Sequence, residues 1–264
     1  WCSHAGNQPG AWPRYVPGIF EHVDPFIGTA ATDLPPADGL AATWWWPKPQ
    51  VGNTHPGAMA PFGMVSTCAY SGAYPTGYGR YAKNTEGVPE VMFDRHQASG
   101  FTHFQQSGTG AIRKYYNYVR VTPMLQPLDD LGQLWEVSDE RAEPGYYAAT
   151  LDSGIRCEVT VGPKSAVHRY TFPAHRDARL VIDLSLGGLD IPYGRTVPLR
   201  AHLESVEPGV AQGEITVEGA PLAVHVECDT PHWRQLLWYD RRLMPGGTRL
   251  DFDRIRPTTL RPFG

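Results

Sequence analysis

The 264-residue chain reads as an all-β protein, a β-sandwich with a long, loop-rich N-terminal half. Three observations carry this. Gly (28) and Pro (25) are abundant, alongside 8 Trp and 13 Tyr, which suits many turns and aromatic-lined surfaces better than helical faces. No stretch keeps an apolar stripe at helical spacing for three turns; the best candidate, Leu128–Val137, is short. In the second half, short alternating apolar runs recur between turn signals, as sandwich strands do.

The strands follow in order. The run GYYAATLDSGIRCEVTVGPKSAVHRYTFP divides into three strands at Asp152-Ser153-Gly154 and at Gly162-Pro163, both turn-forming combinations. Ala178–Leu186 (ARLVIDLSL) is a further strand with a more continuous apolar run. RAHLESVEPG, GEITVEG and LAVHVECD follow at short spacing, separated by Glu-Pro-Gly and Gly-Ala-Pro. RQLLWYDRRL and GGTRLDFDRI read as the arms of a hairpin joined through Pro-Gly-Gly, although the first arm also suits a helix. Residues 30–120 differ: loop-rich, they hold the Trp44-Trp45-Trp46 run, and long irregular segments in a compact domain usually serve function.

Bulk properties narrow the partners. A net charge of −4 with no basic block argues against nucleic acid, whose phosphates need clustered Lys and Arg. No window of 18 apolar residues exists to span a membrane as a helix. The start, WCSHAGNQPGAW, lacks an initiator Met, which suggests a processed or trimmed end. Cys2, Cys68, Cys157 and Cys228 form no CxxC pair, so a zinc ribbon or redox pair is disfavoured; one or two disulfides and single buried thiols both remain open.

Chemistry concentrates around Ser99–Pro123. Ser107-Gly108-Thr109-Gly110 lacks the Lys of a Walker loop and the third Gly of a dinucleotide fingerprint. A tight loop offering N–H groups and hydroxyls to a neutral polyol suits it better. His103 is the best polar candidate for ligand contact, whereas His168 and His225 sit in strands and read as structural. No HxH or HxxxH spacing marks a metal site, His55 included. Of Trp44-Trp45-Trp46, at least one faces outward on an extended chain, either as a platform for a sugar face or as part of a plug beneath the loop. Glycoside hydrolysis would need two opposed acids, about 5–5.5 Å apart for retention or about 6.5–9.5 Å for inversion. Asp94, Glu90, Asp183 and Asp33 are available, but no spacing pairs any two of them.

Five motifs then occur in order: HVDPFIGT (His22–Thr29), VGNTHPGAMAPFGMV (Val51–Val65), SGFTHFQQSGTG (Ser99–Gly110), PGYYAATLDSGIRCEVT (Pro144–Thr160) and VHRYTFP (Val167–Pro173). Together they resemble the N-terminal domain of glycoside hydrolase family 92, the calcium-dependent exo-α-mannosidases, from about residue 22 to at least 190. The resemblance implies an N-terminal β-sandwich paired with a C-terminal helical barrel, and cleavage of α-mannosides with inversion. It implies Ca2+ as cofactor, with the catalytic acid, base and calcium ligands mainly on the barrel and so outside this chain. It implies that the stretches holding Gly77-Tyr78 and His103 to Gly110 close over the terminal sugar. On that reading His103, Gln105, Ser107, Gly108, Thr109, Gly77, Tyr78 and Trp45 line the substrate pocket, with Tyr78 or a Trp as stacking platform. None of this chain's residues is expected to be catalytic. Residues 1–21 become an N-terminal extension and 22–264 the sandwich domain.

Two departures qualify the resemblance. The family usually reads Gly-Phe-Ser-His-Thr-His-Leu-Ser-Gly-Thr-Gly; here Gln105 replaces the second His and Gln106 the Leu. An acidic residue usual soon after the turn is absent, with Arg113 and Lys114 nearby. Gln exchanges hydrogen bonds but does not titrate, which touches mannose specificity more than sugar binding. The C-terminal LRPFG reads as the middle of a sandwich rather than its end, so a second polypeptide or cleaved remainder is expected to complete it. An exported location, secreted, periplasmic or cell-surface, accompanies this reading. A noncatalytic carbohydrate-binding or assembly module is the rival, and a self-sufficient enzyme using Asp94 or Glu90 a third.

Overall fold

A computed structural model describes residues 18, 20–29, 54–72, 76–79, 96–105, 117–125, 133–174, 177–187, 197–217, 219–229, 236–239 and 242–256. Within them a 3-10 turn (Phe20–His22) precedes sixteen strands. In chain order these are β1 (Ala58–Met59), β2 (Ser66–Ala69), β3 (Gln97–Ala98), β4 (Phe101–His103), β5 (Tyr118–Met124) and β6 (Trp135–Glu143). Next come β7 (Tyr146–Leu151), β8 (Arg156–Val161), β9 (Ala166–Thr171), β10 (Arg179–Gly187) and β11 (Val197–Glu207). The last are β12 (Val210–Val217), β13 (Ala220–Glu227), β14 (Leu237–Tyr239), β15 (Arg242–Met244) and β16 (Arg249–Arg256). No helix among the described residues is long and apolar enough to cross a membrane.

The all-β expectation holds, but the layers number three rather than two. One five-stranded sheet runs β1-β2-β4-β5-β10, a second β3-β6-β7-β8-β9, and a four-stranded sheet β13-β12-β11-β16. The first sheet is central. Cys68, Phe101 and Met124 pack against Tyr147, Ala149, Leu151, Cys157 and Val159 of the second sheet. Tyr118, Val119 and Leu184 pack against Ala201, Leu203, Ala211 and Ile215 of the four-stranded sheet. Neighbouring residues on β10 show the division: Val181 joins the first cluster and Ile182 the second. Successive strand side chains point to opposite faces, so both faces of the central sheet are covered. That is why β2 is buried at all four positions and why the run in β10 is continuous rather than alternating.

The three strands expected between Tyr146 and Phe172 form as β7, β8 and β9, with Gly154 in a left-handed turn conformation (φ 83°). Within the loop-rich half, the described residues supply the short strands β1 to β4 and the start of β5, and β1, β2, β4 and β5 lie in the central sheet. The C-terminal hairpin is also corrected. Leu237–Tyr239 pairs with Arg242–Met244 inside the first presumed arm, while β16 leaves to pair with β11, Leu250 opposite Leu203. Joining β11 places β16 in the layer that shields the second core, which a free hairpin arm would not do. The last residues of the helix candidate, Trp135–Val137, begin β6, with Trp135 sealed in the first core; residues 128–132 lie outside the described residues. Cys68, Cys157 and Cys228 are free thiols, the first two buried, and Cys2 lies outside the described residues.

Close packing of β11 on β12 depends on Gly213, opposite Leu203. A Cβ built there would meet the His202 carbonyl oxygen. Gly213→Ala should therefore separate the pair and destabilise the chain by about 2–3 kcal/mol, read from a urea unfolding midpoint. An unchanged midpoint would show that the approach is looser than this.

Candidate functional site: a buried carboxylate clasp and two histidine stems

One enclosed polar cluster is built by a fault in a strand. On β6 the pairing with β7 runs Ser138 opposite Thr150, then jumps to Arg141 opposite Ala148. Asp139 and Glu140 thus share one place, a β-bulge, with Asp139 in the left-handed region at φ 47°. The extra residue reverses the alternation and turns Glu140 inward. There the Tyr147 hydroxyl donates to Oε1 at 2.5 Å, the Tyr78 hydroxyl reaches both oxygens at 3.1 and 3.3 Å, and His96 Nδ1 lies 2.9 Å from Oε2. The Glu140 side chain keeps 19% of its exposure and that of His96 12%. Burial pushes the Glu140 carboxyl up, but the bonds from His96, Tyr147 and Tyr78 and the His96 charge outweigh it, leaving it below the usual glutamate range. Burial first, and the Glu140 charge second, push both phenols up, so they remain donors.

Tyr78 is therefore no open stacking platform. It is 9% exposed, its ring meets His96 edge-on at 4.6 Å, and its hydroxyl is spent on Glu140. Gly77 beside it is also buried and adopts φ 90°. His96 Nε2 is buried without a hydrogen-bond partner.

His103, at the end of β4, is half-buried. Its Nδ1 lies 2.6 Å from the Val119 carbonyl, which only an N–H can satisfy. Its Nε2 must then accept, so His168 Nε2, 2.9 Å away, donates. His168 Nδ1 in turn accepts from the Tyr170 hydroxyl at 2.8 Å. The relay runs one way, from Tyr170 through both rings to Val119. Burial pushes both histidines down, His168 to about 3 with the neighbouring His103 adding to the effect. The sequence assigned His168 to structure; its place in this relay is that of a support for His103.

Gln105 is 2% exposed and turned inward. Its amide NH2 donates to the Ala69 carbonyl at 3.3 Å, its oxygen accepts from the Cys68 thiol at 2.5 Å, and its backbone carbonyl accepts from the Ser66 hydroxyl. Burial keeps the Cys68 thiol protonated, which removes it as a nucleophile. His55 accepts the Gly57 N–H at Nδ1 (3.1 Å), and burial pushes it down to about 4 despite a bond with the Gln105 backbone. Ser107, Gly108, Thr109 and Trp45 lie outside the described residues, as do Asp33, Glu90 and Asp94. Asp183 is engaged by Arg120 at 2.9 Å and by the Ser185 hydroxyl at 2.6 Å. His225 lies on the open face of β13, bonded to Glu227. The structure thus brings the Gly77-Tyr78 and His103-Gln105 stretches into adjoining parts of one polar interior, with Glu140, His96, Tyr147 and His168 as members that sequence reasoning missed. Among the described residues no three His, Cys, Asp or Glu side chains gather to hold a metal ion, so these residues do not fit a calcium site.

Comparison with known proteins places the chain in a family. Residues 22–221 match the family described as the glycosyl hydrolase family 92 N-terminal domain. The chain belongs to that family and is therefore part of a glycoside hydrolase lineage. A curated relative, an uncharacterized secreted glycosidase of Arthroderma benhamiae, is 28% identical over 175 residues, 62% of this chain and 19% of its own length. A solved family GH92 inverting mannosidase from Bacteroides thetaiotaomicron is 17% identical, with a TM-score of 0.47 over 81% of this chain and 30% of that one. The chain thus spans under a third of either protein.

Proposed function

We propose that this chain forms the wall and rim of the saccharide pocket of a calcium-dependent, inverting exo-α-mannosidase acting on terminal α-mannosides of glycans. The catalytic acid, base and calcium ligands lie outside these 264 residues, on a C-terminal barrel or a second polypeptide, and the assembly works outside the cytoplasm. One observation supports the division of labour most. Glu140, the carboxylate turned into the interior, already accepts from two phenols and faces an imidazole, which suits a scaffold better than an acid awaiting substrate. In this reading Ser107, Gly108 and Thr109 offer hydroxyls and N–H groups to the sugar, with His103 at the stem of their loop and Trp45 as the stacking platform. Gly77, Tyr78 and Gln105 serve from beneath, holding the backbone that the sugar meets.

The test is the protein as isolated from its source. Native mass should show this chain travelling with additional polypeptide. Hydrolysis of an aryl α-mannoside should disappear on treatment with EDTA and return with Ca2+. Sugar binding without turnover, by a protein of this chain's mass alone, would instead make it a noncatalytic carbohydrate-binding module.

A further inference from the structure

Three residues without the freedom of glycine adopt left-handed backbone around one junction: Phe104 (φ 61°), Asn117 (φ 51°) and Val119 (φ 50°). For a β-branched residue such as Val119 this is a genuine outlier, and such conformations persist only where surroundings over-determine them. The surroundings here converge on Asn117, which is 2% exposed. Its N–H donates to the Phe104 carbonyl at 3.3 Å. Its amide NH2 donates to the Thr76 carbonyl at 3.1 Å, and its oxygen accepts from the Thr102 hydroxyl at 2.8 Å. The amide orientation follows from these partners, since a carbonyl must meet the NH2 and a hydroxyl can donate to the oxygen.

Gly77 completes the fit. A Cβ there would lie 2.5 Å from the Asn117 oxygen and 2.9 Å from the Tyr70 ring, so only glycine lets the 76–79 segment lie against this amide. That segment is also pinned by the Ser71 N–H on the Gly77 carbonyl (2.8 Å) and by Tyr78 on Glu140. On the other side, Thr102 precedes His103, whose ring is held by the carbonyl of Val119, two residues after Asn117. One side chain therefore ties together the two stretches assigned to the sugar rim, although they are far apart in sequence.

We propose that Asn117 is a positioning residue for saccharide binding: it fixes the buried Thr76–Tyr78 backbone against the His103 stem, so that the rim these two stretches support meets the sugar in one fixed geometry. This rests on the pocket-wall reading above. It also explains why a polar residue is fully enclosed at the junction of three segments, where an apolar one would leave the Thr76 carbonyl and the Thr102 hydroxyl unsatisfied.

Asn117→Gly is the decisive variant, because glycine accepts the left-handed backbone freely while removing both side-chain bonds. Assayed on an aryl α-mannoside in the protein as isolated, it should raise KM about tenfold or more while kcat changes less than about threefold, as lost substrate positioning predicts. Thr102→Val, which keeps volume and removes one of the two bonds, should raise KM by a smaller factor in the same direction. Gly77→Ala should also raise KM, and adding it to Asn117→Gly should raise KM by less than the product of the single effects, since the tightest part of the clash is with the deleted side chain. An active wild type whose KM is unmoved in Asn117→Gly, with only a lower melting temperature, would overturn the inference and leave the pocket-wall reading standing. A wild type with no α-mannoside turnover or affinity would overturn both.

Discussion

Glu140→Ala should destabilise the chain by about 3–5 kcal/mol, among the largest effects of any single substitution outside the apolar core. The change removes the acceptor for the Tyr147 and Tyr78 hydroxyls and for His96, each held within 3.1 Å of a carboxylate oxygen. Among the described residues these donors make no other side-chain hydrogen bond, and the site is mostly enclosed, so water repairs it poorly. Glu140→Gln should recover part of the loss, because one oxygen remains while the new NH2 faces other donors. Urea denaturation measures both. A cost under about 1 kcal/mol for the alanine variant would mean that the bulge does not exist to seat this carboxylate. Tyr78→Phe is the milder probe: it removes one donor, keeps the ring on His96 and should cost about 1 kcal/mol.

Acid should unfold this chain earlier than its net charge suggests. His55 is pushed down to about 4 and His168 to about 3, with His103 lowered as well, all chiefly by burial. In the unfolded chain each would titrate near 6.5. Below that pH the unfolded state binds protons that the folded state refuses, so stability falls as pH falls. The contribution is complete above 6.5 and is lost progressively from 6.5 down towards 4 for His55 and towards 3 for His168. Each such histidine adds a slope of up to about 1.4 kcal/mol per pH unit across its window. The relay of His103 and His168 holds one proton between their Nε2 atoms, and a second would set two N–H groups against each other at 2.9 Å. Glu140 works in the same direction lower down: its carboxyl is depressed in the fold, so its contribution is lost as pH falls below the ordinary glutamate range. Unfolding free energy should stay nearly level from pH 7.5 to about 6.5 and then decline down to pH 4.5, and His55→Asn, which keeps an acceptor for Gly57, should reduce that decline. A level profile would contradict the buried, neutral assignment of these rings.

Much of this fold was legible. β8 and β9 announce themselves because each alternates, and the boundaries that set off β7, β8 and β9 carry turn residues with a physical reason to be there. In the central sheet β10 was legible as a continuous apolar run, but β1, β2 and β4 were not, since they are short and the sheet is covered on both sides, which erases alternation; β2, Ser66–Ala69, is four buried residues of mixed polarity. The partner of β16 was invisible for a different reason: a turn signal at Gly246-Gly247 shows where the chain reverses, not which strand it then meets. At the site, the stretch around His103 stood out by composition, but its neighbours came from register. Glu140 looks like one more charge in WEVSDERAE until the bulge is known. A faint signal exists: Val137 and Ala142 both pack on the core, and an odd spacing of that kind requires an extra residue in the strand. Asn117 and His168 carried no local signal, because their importance lies in partners 15 and 65 residues away.

On the pocket-wall proposal, this polypeptide shapes a sugar pocket and leaves bond cleavage to groups outside it. Turnover of an aryl α-mannoside, compared between the purified 264-residue chain and the native assembly with Ca2+, tests it most directly. Hydrolysis is expected from the assembly and none from the chain alone; release of mannose by the chain alone would overturn the pocket-wall proposal.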